Sequence, residues 1–231
     1  GTTTKGNQIY IVNAETGELI WWAAGGGAPS ATPAAVNISD MKYSIPSEVK
    51  VLDLNSDGLA DTVYFGDLGG QLFRMDIDNG KSGTALVKRV KLIAKLGSSG
   101  VSTPTSVDAR RIYEPPTVAL FKDETMSAVF AAVAVGTGNR SRPLSMATND
   151  RFAVVFDYDV GKSNLLTTTT SALQATLDYS KLIKLDLTND ASTGKPVYTV
   201  DSMTGKYVPG TYGWYVELTS GGEKSLSSGL I

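Results

Sequence analysis

Histidine and cysteine are both absent from this 231-residue chain. Without histidine there is no imidazole general acid or base and no Ser-His-Asp triad. Without cysteine there is no thiolate nucleophile and no disulfide to mark a compartment. With both missing, thiolate and imidazole zinc sites are excluded. Charge is also sparse: 19% of residues, with a net charge of −2. No basic run stands out, so nucleic acid is not an expected partner. No apolar run is long enough to form a transmembrane helix, and no signal peptide is visible. The pattern opens in mid-strand, so the expectation is a piece of a longer chain whose leader would lie upstream.

What the chain does have is enough apolar content, 42%, to bury a core. Its most informative stretch is Asp53-Leu54-Asn55-Ser56-Asp57-Gly58-Leu59-Ala60-Asp61. Oxygen side chains recur at every second position, then comes a glycine, then one more carboxylate. Ca²⁺ takes roughly 6–8 oxygen ligands from carboxylates, amides, backbone carbonyls and water. This spacing assigns Asp53, Asn55, Asp57 and Asp61 as side-chain ligands and Leu59 as a backbone-carbonyl ligand. Gly58 supplies a conformation that a Cβ would hinder. Carboxylates this close repel one another unless a cation neutralises them. The competing reading is a plain turn, since Asn, Asp, Ser and Gly are ordinary turn residues. A helical EF-hand needs a bidentate Glu at the twelfth loop position, and Tyr64 stands there. The flanks, 48–52 and 62–66, are β-branched and aromatic, which predicts a strand–loop–strand site.

The remaining pattern is all-β. Residues 7–22 predict a hairpin turning at Gly17 and ending in Trp21-Trp22, the blade hairpin of quinoprotein-like propellers. Residues 24–40 read as a glycine- and proline-containing loop without the Lys-Ser/Thr or GxGxxG context that phosphate binding requires. Residues 48–78 predict a three-strand meander with a tight turn at Gly69-Gly70. Phe73, Met75 and Ile77 alternate along its last strand as on a half-buried face, and Asp67 and Asp76 read as turn and edge carboxylates. Residues 86–96 fit either a strand or a basic amphipathic helix, and strand neighbours favour the strand. Further strands are expected at 117–121, 127–136, 151–158, 181–187, 196–201 and 212–218. Residues 167–179 read as a loop or one short helix, with the loop favoured. Hairpin-like units begin near 7, 48, 117 and 181. Turns at this spacing predict a single domain over 1–231, an irregular or incomplete β-propeller.

Several stretches together resemble a known family. They are the Trp-ended hairpin, Tyr43-Ser44-Ile45-Pro46-Ser47, the Asp53–Asp61 loop, Gly66-Asp67-Leu68-Gly69-Gly70-Gln71-Leu72-Phe73-Arg74-Met75-Asp76, Gly136-Thr137-Gly138-Asn139-Arg140, Gly213-Trp214-Tyr215 and Gly222-Glu223-Lys224. The chain is similar to the C-terminal β-propeller domain of PilY-type proteins of type IV pili. The resemblance implies an exported, pilus-associated protein at the pilus tip, cell surface or outer membrane. It implies a role in pilus assembly against retraction, in adhesion and in twitching motility, with minor pilins as partners. Host-surface contact would fall to regions outside this chain. The family's calcium ligands map onto Asp53, Asn55, Asp57, Leu59 and Asp61. The integrin-binding Arg-Gly-Asp tripeptide of some members is missing. Two other functions fit parts of the pattern. An FG-GAP-type adhesion propeller would carry several calcium loops, where one is visible. A quinoprotein-like dehydrogenase would need a catalytic carboxylate beside a quinone pocket, and none stands out. The expectation is therefore a calcium-binding module and not an enzyme.

Overall fold

A computed structural model describes residues 5–26, 32–97, 110–123, 128–146, 148–185, 212–220, 222–225, 227 and 229. The expected strand at 196–201 lies outside these. Three sheets, each mixing antiparallel pairings with one parallel pairing, contain the strands.

The first sheet is the Trp hairpin plus one short strand. β1 (Gln8–Val12) pairs antiparallel with β2 (Leu19–Ala24). Asn13 forms the turn: its Oδ1 accepts the Glu15 and Thr16 N–H groups at 2.9 and 3.1 Å. Such a side-chain turn is what makes Asn favourable there. β3 (Val36–Asn37) adds parallel to β2. The two tryptophans point to opposite faces, as the strand period requires. Trp21 enters the core, whereas Trp22 stacks on Tyr10 at 5.6 Å and donates to the Pro33 carbonyl at 2.8 Å.

The second sheet is the predicted meander extended by one strand. β4 (Lys50–Leu52), β5 (Thr62–Gly66), β6 (Gln71–Ile77) and β7 (Val87–Lys95) pair antiparallel in sequence order. Residues 87–95 are thus strand, as favoured over the helix. Lys88, which breaks the alternation, is exposed. Gly70 makes the β5–β6 turn with φ +70°, and a Cβ there would meet Gly97 Cα at 2.4 Å. Both the conformation and the space demand glycine.

The third sheet holds β8 (Thr117–Asp123), β9 (Ala128–Gly136) and β10 (Arg151–Asp157), again an antiparallel meander. The segment 177–185 then serves two sheets. β11 (Leu177–Asp178) lies parallel to β7 in the second sheet. β12 (Ile183–Leu185) joins the third through β13 (Gly213–Glu217), which pairs with β10. The unit expected to begin near 181 is therefore the edge of the third sheet and not a separate hairpin. Residues 167–176 hold a single 3₁₀ turn at Thr170–Ala172, in keeping with a loop, whereas Leu177–Asp178 form β11 and Tyr179 opens a second 3₁₀ turn, Tyr179–Lys181.

The sheets stack with the second in the middle. One of its faces, with Val63, Phe65, Phe73 and Met75, packs on Ile9, Trp21 and Met41. The other, with Tyr64, Leu72, Ile93 and Ala94, packs on Val133, Val135, Ala153 and Val155. This corrects the expectation for β6, which is buried along its whole length and not on one face alone. Apolar alternation reported one neighbour; the other face is buried too, through Leu72 and the charged Arg74 and Asp76. Among the described residues the three sheets do not join into a closed ring.

Candidate metal centre

The Asp53–Asp61 loop connects β4 to β5, between strands whose pairing ends at Leu52 and Thr62. It is exposed from Asn55 to Leu59. Each acidic or amide side chain turns back onto the loop's own N–H groups. Asp53 Oδ1 accepts from Ser56 at 2.6 Å and from Asn55 and Asp57 at 3.2 and 3.3 Å. Asp53 Oδ2 accepts from Gly58 N–H at 2.8 Å. The Gly58 N–H, with those of Ser56, Asn55 and Asp57, holds the Asp53 carboxyl below the ordinary aspartate value against its desolvation. Asn55 Oδ1 accepts from Asp57 N–H at 2.9 Å, and Asn55 Nδ2 donates to Asp57 Oδ2 at 3.0 Å. Asp57 Oδ1 accepts from Leu59 N–H at 2.8 Å. Ser56 and Gly58 both adopt positive φ, +64° and +86°. A Cβ at Gly58 would meet nothing within 4 Å, so backbone conformation and not space selects glycine there.

Asp61 is held differently. Its N–H donates to Leu52 O in β4 at 2.9 Å, and its carbonyl accepts from Ile77 N–H in β6 at 2.9 Å. Its Oδ2 accepts from Leu54 N–H at 2.8 Å, and its Oδ1 from Asn79 Nδ2 at 3.1 Å. Tyr64, at the place of an EF-hand's closing carboxylate, faces the other way: it is fully buried, and its hydroxyl donates to Asp157 Oδ2 at 2.9 Å.

The donor set fits a hard cation in kind: oxygens from three aspartates, one amide and the exposed Leu59 backbone. The acidic side chains are not gathered, however. Among the described residues no group of three or more His, Cys, Asp or Glu is placed to hold a metal ion. The side chains spend their oxygens on backbone donors, as in any Asx-rich turn. Beside the loop runs a groove of about 560 Å³, walled by Asn55, Asp61 and Ile77 on one side and by Lys162, Asn164 and Leu165 on the other.

The sequence reading missed a second constellation, the charged cluster between the second and third sheets. Arg74 sits at its centre, fully buried. Its Nε donates to Asp76 Oδ1 at 2.7 Å, and one terminal nitrogen reaches both Asp157 oxygens at 2.7 Å. Arg89 pairs with Asp76 at 3.0 Å and donates to the Leu165 and Thr168 carbonyls at 2.7 and 2.8 Å. Lys162 donates to Asp159 Oδ1 at 2.7 Å, with Lys91 at 3.8 Å from the other oxygen. Burial opposes the Arg74 charge, but Asp157 and Asp76 outweigh it and hold its pKa above the ordinary value. Burial likewise works to raise Asp159, and Lys162 with the Gln174 N–H hold it below the usual carboxylate range. For Tyr64, burial and then Asp157 push the phenol far up. Asp76 is thus no edge carboxylate; it is wholly buried because β7 supplies Arg89 across the strand pair. The signal was present in the sequence as charges at 74 and 76, 89 and 91, and 157 and 159, placed in strands or just beyond them.

Asp67 is also buried, unlike an exposed turn residue. Its Oδ1 accepts from Gly69 and Gln71 N–H at 2.8 and 2.9 Å. No cation pairs with it among the described residues. Burial pushes its carboxyl up to about 8, opposed by those two N–H donors. The Gln71 amide, turned so that its nitrogen reaches Asp67 Oδ2 and Asp40 O at 2.9 Å each, works in the same direction as those donors.

No family model matches the chain, and no curated protein matches it by sequence. A solved structure does. The crystal structure of the Pseudomonas aeruginosa PilY1 C-terminal domain superposes with a TM-score of 0.57 at 20% identity, covering 99% of this chain and 49% of that one. The chain thus shares the fold of that domain over about half of its length. The stretches that carry the sequence resemblance are joints of this fold. The Tyr43 ring fills the space that a Cβ at Gly69 would need. Thr137 Oγ1 donates to Asp150 at 3.0 Å, and Lys224 reaches the same carboxylate at 3.4 Å.

Proposed function

We propose that this chain is a calcium-binding structural module of a type IV pilus-associated protein, built as part of a β-propeller. It would support pilus assembly against retraction, contribute to adhesion and twitching motility, and act with minor pilins at the pilus tip or cell surface. The observation that carries this reading is the Asp53–Asp61 loop, seated between two strands of a fold shared with the PilY1 C-terminal domain. The propeller reading is supported by the stack of three sheets, each covering the face of the next as successive blades do. The outer face of the third sheet, with Phe130, Phe152, Phe156 and Trp214, borders an apolar cavity of about 310 Å³, which suits one more blade.

Asp53, Asn55, Asp57, the Leu59 carbonyl and Asp61 would hold Ca²⁺. The ion would supply positive charge that lets the carboxylates converge. The loop's own role is to offer oxygens from a backbone already curved at Ser56 and Gly58. The test is calcium titration by calorimetry on the parent chain and on Asp57→Ala. One saturable site in the parent and loss of binding heat in the variant are expected, because Asp57 is the central carboxylate. Equal affinity in the two would refute the ligand assignment. The pilus reading is tested by capture of purified minor pilins with and without the ion.

A further inference from the structure

Asp61 differs from the other loop residues in what holds it. Among the described residues, Asp53, Asn55 and Asp57 are fixed only by bonds within the loop, each spanning five residues or fewer. Asp61 is fixed by β4 through its N–H and by β6 through its carbonyl. Its carboxylate is gripped on both oxygens, by Leu54 N–H and by Asn79 Nδ2. Asn79 is an exposed residue of the β6–β7 turn, and the same Nδ2 also donates to Ala60 O at 3.1 Å. Two acceptors on one nitrogen fix the amide with its nitrogen toward Asp61. A carboxylate oxygen has two lone pairs, so the Asn79 bond leaves Asp61 Oδ1 one more to give.

We infer that Asn79 is a positioning residue for the calcium site, orienting Asp61 as the one preset ligand of an otherwise adaptable loop. This rests on the calcium reading above. The physical need is clear: the loop lacks the bidentate carboxylate that closes an EF-hand, since Tyr64 points into the core. Closure must come from Asp61, and an oriented carboxylate loses less freedom on binding than a free one. Partners that orient a metal ligand typically contribute about 10–100-fold to affinity. Asn79 lies in a turn that the loop does not otherwise include, so it ties the cation site to the far end of β6.

The test is calorimetric calcium affinity of the full chain with Asn79→Ala and Asn79→Asp, alongside the parent and Asp57→Ala, with melting curves in chelator. Asn79→Ala should weaken binding by about tenfold, with its chelator melting curve close to that of the parent because the residue is exposed. Asn79→Asp should weaken it as well, because a carboxylate cannot donate to Asp61. Unchanged or tighter binding in Asn79→Ala would overturn the inference. Tighter binding in Asn79→Asp alone would also overturn it, by showing that position 79 faces the ion directly. Failure of the parent to bind calcium would sink the underlying reading instead, and the two failures are told apart by the parent titration. Should Asn79→Ala prove unfolded in chelator, Asn79→Gln keeps the donor and should restore part of the affinity; no gain over Asn79→Asp would count against the inference.

Discussion

Asp67 shows how a single residue can carry a pH dependence. Its carboxyl is raised in the folded chain to about 8, whereas an unfolded aspartate titrates near 3.9. Between those values the native state binds more protons than the unfolded state. Stability from this group therefore falls as pH rises from about 4 to about 8 and is level above that. Asp67→Asn removes the titration while keeping an oxygen for the Gly69 and Gln71 N–H groups. Thermal melts at pH 5 and pH 8 should show the variant gaining on the parent at the higher pH. A pH-independent difference would mean that the Gln71 amide and the two N–H groups already hold the parent's carboxylate charged throughout this range. The Asp was legible in the sequence as a turn residue, which it is. Its burial was not, because that depends on Tyr43 and Ile112 packing over the same turn from distant parts of the chain.

Among the elements, β6 is the one whose neighbours the sequence revealed least. Its apolar residues, Phe73, Met75 and Ile77, correctly announced the face toward the first sheet. Arg74 and Asp76 suggested solvent on the other face. They meet Asp157 and Arg89 there instead, as parts of a buried network that satisfies both charges. Periodicity detects apolar burial, and a paired charge leaves no apolar trace. Arg74→Met should cost on the order of 3–5 kcal/mol, because it strands Asp157 and Asp76 without their shared cation. Tyr64→Phe should cost about 1 kcal/mol, one buried hydrogen bond to Asp157. Urea unfolding of both variants checks this. A loss under 1 kcal/mol for Arg74→Met would mean that Arg89, Lys91 and Lys162 carry the network without it. The β4–β5 loop stands at the opposite extreme. Its residues were legible one by one because turn chemistry is local, yet its convergence on an ion is a tertiary property that spacing can only suggest.

For the molecule as a whole, the strands and the 48–78 meander followed from strand patterns, whereas the grouping into three sheets and the path of residues 177–185 between two of them did not. Two- and three-residue strands carry no periodicity to read. If calcium binds the folded loop alone, a hundredfold excess over the dissociation constant adds about 2.7 kcal/mol to stability. At roughly 2–4 °C per kcal/mol for a chain of this size, the melting temperature should rise by about 5–11 °C between chelator and saturating calcium. An unchanged melting temperature under saturating calcium would show that the ion does not select the native state.

The segment 177–185 also bears on how the fold responds to load. β11 and β12 are short parallel strands, one on the second sheet and one on the third, joined by the single turn Tyr179–Lys181. On the pilus role proposed above, the chain would work under tension. Any pull that separates the second sheet from the third must strip one of these short strands off its partner, and must at the same moment drag Asp157 and Asp159 away from Arg74. The two sheets are therefore expected to give way as one unit, with a single force peak and not a sequence of small ones.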